Sequence, residues 1–582
     1  MENYIKIYQK WINSEELQNS DKNELLAIAG NDNEIKERFG MELAFGTAGM
    51  RGVLGMGTNR MNVFTVRRAT KGLADYISGL GSEAMKKGVV IAYDTRRFSV
   101  EFAAECAGVL AANKINCYIF EDVRPVPMCS FAVRHLGATA GIMITASHNP
   151  KQYNGYKVYG ADGAQMSPEA TAEVVRFIEK ADVFGIDRAA ALSKDDLKGK
   201  NGYKAGEYVT VIGKDVDEKY FEAISALSVS PDAVKKFGKK VKLVYTPLHG
   251  SGYMPVTSVL GRKGINVSVV REQALPDPDF STVKVPNPEE QSALALAIAQ
   301  AEREGAGVVI GTDPDADRMG VALKTQSGYA VLTGNQIGVL MMDYILSSAK
   351  EQGKLPANAA VIKTIVSTNL ANKVAGYYGA TIFEVLTGFK FIGEKIKEWE
   401  QSGEYTYMFG FEESYGSLVG THARDKDAVV AAMIFSEMVC KYESLGTTVT
   451  ARLEELYAQF GYYCEKGASF VFEGLDGMDK MNAIMEKVRA DFPDEIAGRQ
   501  VEFKRDYLSG ITRYADGAME NITLPKSNVI YFGLEGGDWI CVRPSGTEPK
   551  LKIYVADSRE SADKAAEANA AYLEAVKNAY IG

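Results

Sequence analysis

The sequence predicts an α/β protein with three similar mixed-sheet α/β domains and a C-terminal α+β domain. Three observations carry that prediction. At roughly 150 residues per domain, 582 residues correspond to about four domains. Up to residue 446, short apolar runs alternate with longer helical patterns, the grammar of parallel or mixed sheets covered by helices. From residue 447 the grammar changes, with alternating strands flanked by a helix at each end.

The first block opens with a buried strand over 88–94, a helix over 100–112, and further strands over 117–120 and 141–145. The second repeats the pattern with strands over 241–246, 266–270 and 307–311, and the third with strands over 359–364, 381–385 and 405–409. No short-period repeat is present, so three copies of one domain type is an inference from grammar alone. The last stretch reads as a helix over 449–460, strands over 528–532 and 539–543, and an Ala-rich helix over 563–578. Residues 184–207, enriched in Gly, Lys and Asp, read as a loop or linker. The resulting domains span 1–207, 208–324, 325–446 and 447–582.

Composition narrows the function. Hydrophobic residues make up 46% and charged residues 24%, the balance of a soluble globular protein. The net charge of −9 argues against nucleic-acid and anionic-membrane partners, which call for a basic surplus. An anionic ligand would need positive charge concentrated locally. Six cysteines without a CxxC pair suggest neither a zinc cluster nor a disulfide framework, and four histidines argue against a His-rich metal site. Residues 1–18 lack the apolar core of a signal peptide, and no run of 18 apolar residues occurs. Asn266-Val-Ser268 and Asn521-Ile-Thr523 are then chance matches to the glycosylation triplet. A cytoplasmic enzyme is expected.

Four motifs carry chemistry. Thr145-Ala-Ser147-His148-Asn149-Pro150 follows a strand directly, where ligands of open α/β sheets bind. Ser147 is a candidate covalent phosphoryl carrier, although a turn with a helix cap would suit the same residues. A triad hydrolase fits less well, because no Gly-x-Ser-x-Gly elbow surrounds Ser147. In Asp313-Pro-Asp315-Ala-Asp317-Arg318, carboxylates at alternate positions can converge on one hard divalent cation, Mg²⁺ or Ca²⁺. Arg318 there is a candidate for a phosphate shared with the metal. The loop is no EF-hand: its sixth position is Arg318 instead of Gly, and its twelfth is Lys324 instead of Glu. Arg543-Pro-Ser545-Gly546-Thr547-Glu-Pro549 is a candidate anion nest, or else a polar hairpin turn. Gly410-Phe-Glu412-Glu413-Ser414-Tyr-Gly416 offers acceptors and a hydroxyl suited to sugar hydroxyls, or else an acidic surface turn. Arg51, Lys157, Lys390, Arg424 and Lys426 supply further positive charge close to these motifs.

Together these motifs resemble the α-D-phosphohexomutase superfamily, which includes phosphoglucomutases and phosphomannomutases. The resemblance covers nearly the whole chain, in the order phosphoserine loop, metal loop, sugar loop, phosphate loop. The segments Thr387-Gly388-Phe-Lys-Phe-Ile-Gly393 and Gly-Phe-Glu-Glu-Ser-Tyr-Gly look like the branch that holds phosphoglucomutase-2, phosphopentomutase and glucose-1,6-bisphosphate synthase. Phosphomannomutases more often carry Gly-Glu-Met-Ser-Gly-His at the sugar loop, which counts against a dedicated mannose enzyme.

The resemblance implies four domains around a central cleft and one Mg²⁺ per chain, on Asp313, Asp315 and Asp317 and touching Ser147. It implies a phosphorylated Ser147 that exchanges its phosphoryl group with glucose 1-phosphate or glucose 6-phosphate through glucose 1,6-bisphosphate. Glu412 and Ser414 would bind sugar hydroxyls, and Thr387 and Gly388 would select the sugar. Arg318 and Lys426 would contact substrate, while Arg543, Ser545, Gly546 and Thr547 would hold the far phosphate. Lys157, Arg51, His148 and Lys426 are the candidate acids and bases, unranked by sequence. The alternatives are a phosphopentomutase or phosphomannomutase of the same mechanism, a phosphatase, and a non-catalytic phosphosugar-binding protein. Monomer and dimer both remain open.

Overall fold

A computed structural model describes residues 3–46, 49–189, 192–472, 476–545 and 550–582. The chain divides into two compact units. The first comprises 1–334, 392–410 and 414–446, and the second 335–391, 411–413 and 447–582.

The first unit begins with helices Asn3–Ile12, Asn19–Ala27 and Asp32–Phe39. Buried Trp11 packs edge-on against Phe39, Phe64 and Phe184 at centroid distances of 5.8, 5.5 and 5.3 Å. Phe184 and the fully buried Leu197 both come from the expected linker and pack into the clusters of the first block.

A six-stranded sheet follows, in the order Met50–Val53, Tyr153–Gly160, Ala140–Ile144, Val89–Tyr93, Cys117–Phe120, Val209–Ile212. The last four strands run parallel, and Tyr153–Gly160 runs antiparallel to both of its neighbours. Val89–Tyr93 is buried throughout, as an unbroken apolar run covered on both faces should be. The sheet reaches Ile212, beyond the expected boundary at 207. A five-stranded sheet has the order Gly328–Val331, Met319–Thr325, Val308–Thr312, Leu243–Thr246, Val267–Val269. It extends past the expected boundary at 324, because Gly328–Val331 pairs with Met319–Thr325.

The three blocks share one succession: strand, helical connection, strand, helical connection, strand, strand. In the third block the strands are Ala359–Thr364, Thr381–Val385, Thr406–Phe411 and Ser417–Val419. The Ser147, Asp313 and Glu412 motifs all fall between the third and fourth of these strands, so three different sequences occupy equivalent loops.

In the second unit, Ala359–Thr364 and Thr381–Val385 pair in parallel. The C-terminal domain is an antiparallel sheet, ordered Tyr462–Val471, Lys550–Arg559, Trp539–Pro544, Ile530–Leu534, Arg499–Asp506, Ile511–Tyr514, Met519–Asn521. Helices Gly477–Ala490 and Ala562–Val576 cover one face through Met481, Met485, Val488, Tyr572 and Val576. The departure from α/β grammar after residue 447 is therefore real. No helix among the described residues is long and apolar enough to cross a membrane.

Candidate active site

The Ser147, Asp313 and Glu412 loops each carry one non-glycine residue in the left-handed region: Ser147 at φ 53°, Ala316 at 43° and Tyr415 at 66°. Such a conformation costs on the order of 1–3 kcal/mol and persists where surrounding contacts enforce it. At Ser147 the contacts are visible. The Thr145 hydroxyl accepts the Ser147 N–H at 2.8 Å, and the buried Arg96 guanidinium donates to the Ser147 carbonyl at 2.5 Å.

The Ser147 hydroxyl donates to Asp313 Oδ2 at 2.8 Å, and His148 Nδ1 lies 3.3 Å from Ser147 Oγ. Asp313, Asp315 and Asp317 are essentially without solvent exposure, and one oxygen from each lies within 4.8 Å of the others. Oxygen ligands at about 2.0–2.6 Å from an ion can be no more than about 5 Å apart, so the spacing suits one cation. Asp315 Oδ1 and Asp317 Oδ1 are buried and accept no hydrogen bond. Two buried lysines compensate part of the charge. Lys157 Nζ is 2.8 Å from Asp315 and 3.4 Å from Asp317, and Lys426 Nζ is 3.2 Å from Asp317. Arg318 stands 3.8 Å from Asp317, while Glu289 pairs with Arg318 and Asp425 with Lys426. Five carboxylates against three cations leave negative charge in a low dielectric, which a hard divalent cation would offset. The residues present fit a metal.

The metal loop is folded on itself and fastened at its back. Asp313 Oδ1 accepts the amides of Asp317 at 3.1 Å and Arg318 at 3.0 Å. The Pro314 carbonyl accepts both the amide and the hydroxyl of Ser251, at 2.8 and 2.7 Å. Arg318 Nη1 donates to Glu289 at 2.7 Å and to the Ser414 carbonyl at 3.0 Å, which ties the metal loop to the start of the next. Gly416 is required where it stands: a Cβ there would lie 2.2 Å from Lys426 Cδ.

Electrostatics follow from this crowding. Burial, then the neighbouring Asp315 and Asp317, push Asp313 well above the usual carboxylate range. Burial would raise Asp317 too, but Lys426, Lys157 and Arg318 outweigh it and hold its carboxyl below that range. Burial lowers Lys157, and Asp315 and Asp317 more than restore it. Burial, then Arg318 and Arg51, keep His148 well below its ordinary value, so its imidazole is neutral. The exposed Arg51 donates to Asn149 Oδ1 at 3.0 Å.

Glu412, Arg543, Ser545, Thr387 and Gly388 belong to the second unit. Burial, then Glu412, raise Glu413 to about 7, and the Thr364 hydroxyl donates to it at 3.2 Å. Arg543 is the penultimate residue of strand Trp539–Pro544, and Tyr554 feels both Glu413 and Arg543. The Ser545 amide closes onto the Lys550 carbonyl at 2.7 Å. Gly546 and Thr547 lie outside the described residues. Gly388 has φ 117°, open only to glycine at low cost, immediately before helix Phe389–Ser402.

One expectation is corrected. Arg424 supplies no free charge: it is buried, and its two terminal nitrogens donate to Glu400 and to the carbonyls of Thr421 and Ala423. Sequence reasoning also missed Arg96, Ser251 and Glu289, which hold the two loops. The one available signal was position, since Arg96 stands just past the carboxyl end of a buried parallel strand.

Fold and site define a multidomain α/β protein that sets a buried serine against a cluster of three buried carboxylates. Family models match the whole architecture in order: phosphoglucomutase/phosphomannomutase α/β/α domains I at 42–183, II at 218–328 and III at 333–460, and the C-terminal domain at 481–572. The chain belongs to the phosphoglucomutase/phosphomannomutase family. It is 38% identical to a phosphoglucomutase of Staphylococcus aureus (strain USA300), covering 90% of this chain and 91% of that one. A Staphylococcus haemolyticus phosphoglucomutase is likewise 38% identical, over 89% and 91%. Among solved structures, the open form of the Paramecium phosphoglucomutase parafusin matches with TM-score 0.68 at 18% identity, covering 93% of this chain and 97% of that one. A Burkholderia thailandensis phosphoglucomutase/phosphomannomutase family protein matches with TM-score 0.63 at 17% identity, over 92% and 98%. These two establish likeness of fold.

Proposed function

We propose that this chain is an intramolecular phosphotransferase that interconverts α-D-glucose 1-phosphate and glucose 6-phosphate through glucose 1,6-bisphosphate. The observation that carries the reading is the Ser147 hydroxyl, 2.8 Å from Asp313 in a buried carboxylate triad. The staphylococcal relatives named phosphoglucomutase support the choice of sugar.

In this reading Ser147 carries the phosphoryl group. A sugar hydroxyl displaces Ser147 Oγ from phosphorus and forms the bisphosphate. The bisphosphate then turns over, Ser147 Oγ attacks its other phosphate, the sugar oxygen leaves and takes up a proton to become a hydroxyl, and the phosphoserine is regenerated. His148, with Nδ1 3.3 Å from Oγ, is placed to take the Oγ proton on attack and return it on departure. Asp313, Asp315 and Asp317 would hold Mg²⁺, which supplies charge neutralisation to the phosphoryl oxygens when bound. Arg318, Lys157, Lys426 and Arg51 orient phosphate oxygens around Ser147. Glu412 and Ser414 bind sugar hydroxyls, Thr387 and Gly388 select the sugar, and Arg543, Ser545, Gly546 and Thr547 hold the non-reacting phosphate. The six cysteines, all free, suit a reducing cytoplasm.

The test is kcat/KM for glucose 1-phosphate, mannose 1-phosphate and ribose 1-phosphate, with glucose 1,6-bisphosphate supplied. Preference for glucose 1-phosphate supports the reading. A strong preference for ribose or mannose 1-phosphate moves the enzyme to a phosphopentomutase or phosphomannomutase.

A further inference from the structure

Arg96 is the most heavily bonded side chain near Ser147, yet it faces no solvent. Its side chain and that of its partner Asp94 both have 0% exposure. One guanidinium nitrogen donates to the carbonyls of Ser147 at 2.5 Å and of Asn149. The other donates to Pro150 at 3.0 Å and Tyr153 at 3.1 Å. One cation therefore collects four carbonyls from a loop that also carries the backbone bonds Thr145 to Gly155 at 3.1 Å, Asn149 to Ala146 at 3.1 Å and Tyr153 to Pro150 at 3.0 Å.

The guanidinium is itself held from two sides. Asp94 sits 3.4 Å from Arg96 Nε and fixes the start of the same turn, accepting the Arg96 amide at 2.9 Å and the Ser99 hydroxyl at 2.7 Å. The ring of Phe280 lies 5.1 Å from the guanidinium carbon. Phe280 belongs to the block that carries Asp313, and it is itself buried at φ 48°. The contact thus keys the serine loop to the block bearing the carboxylates.

We infer that Arg96 is a positioning residue for phosphoryl transfer: it holds Ser147 in its left-handed conformation, with Oγ at the carboxylate triad, without touching substrate. The inference rests on the phosphoserine reading above. A planar fork with several fixed donors can satisfy four carbonyls, whereas a lysine ammonium is a point charge with three donors, so Arg96→Lys is not conservative here. Small displacements of a reacting atom cost transfer rate far more than binding.

The test uses the full chain and two readouts. The first is single-turnover phosphorylation of Ser147 by glucose 1,6-bisphosphate, followed by intact mass, alongside steady-state kcat and KM. Arg96→Lys should slow transfer about 100-fold and leave KM for glucose 1-phosphate within about threefold. The second needs no activity: amide hydrogen exchange at 147–149 should rise about tenfold in Arg96→Lys, while strand Ile530–Leu534 keeps its protection. If Arg96→Lys does not fold, Phe280→Leu should slow the same step about three- to tenfold through loss of the ring contact. Wild-type transfer rates, or unchanged exchange at 147–149, would overturn the inference. A wild-type chain that never phosphorylates Ser147 would overturn the functional reading, and the exchange readout would still decide the role of Arg96.

Discussion

The Ser147 hydroxyl and the Asp313 carboxylate meet at 2.8 Å although 166 positions separate them in sequence. Their loops are equivalent: each follows the third strand of its block and turns back into an antiparallel fourth strand. One strand–loop position thus holds the buried serine in one block and the buried carboxylate triad in the next.

Asp315 is the triad member nearer Lys157, at 2.8 Å against 3.4 Å for Asp317. Asp315→Asn removes one hard anionic ligand and leaves Lys157 facing Asp317 alone. Activity should fall at least about 1000-fold and Mg²⁺ affinity about 10- to 100-fold, as read by kinetics and titration calorimetry. Unchanged Mg²⁺ affinity would remove Asp315 from the cation site.

Gly416→Ala places a methyl group 2.2 Å from where Lys426 Cδ now lies. Lys426 must then move from Asp317. Turnover should drop about tenfold or more, with the fold retained by circular dichroism. Turnover within twofold of wild type would show that the position of Lys426 is immaterial.

Asp557 is buried, neither carboxylate oxygen has a hydrogen-bond partner, and burial raises it to about 7. Its unfolded value is about 3.9. Between those values the folded chain binds more protons than the unfolded one, so this group makes stability fall as pH rises from about 4 to 7. Asp557→Asn should therefore raise Tm at pH 8 by about 2–4 °C per kcal/mol recovered, and the gain should vanish near pH 4. An equal Tm change at both pH values would assign the effect to packing.

Much of the fold was legible in the sequence because its signals are local. The strands over 117–120, 359–364 and 381–385 and the helix over 449–460 are observed with the expected bounds, since each is an apolar run or stripe with a clear break at either end. Val209–Ile212 was missed because its partner is the distant strand Cys117–Phe120, and no short-range pattern reports such a pairing. At the site, residue types at strand ends pointed to Ser147 and the three carboxylates. Sequence could not show that Lys157 and Lys426 pair with those carboxylates, that Arg424 is consumed by Glu400, or that Arg96 gathers the serine loop. Each of these depends on contacts between segments far apart in the chain.

The most direct test of the central claim follows the phosphoryl group itself. Intact mass is measured after the dephosphorylated chain is mixed with glucose 1,6-bisphosphate, and again after excess glucose 1-phosphate is added. The wild-type chain should gain one phosphoryl group, located on Ser147, and glucose 1-phosphate should remove it. Ser147→Ala should gain none and lose turnover. Phosphorylation at another residue, or near wild-type turnover by Ser147→Ala, would contradict the account.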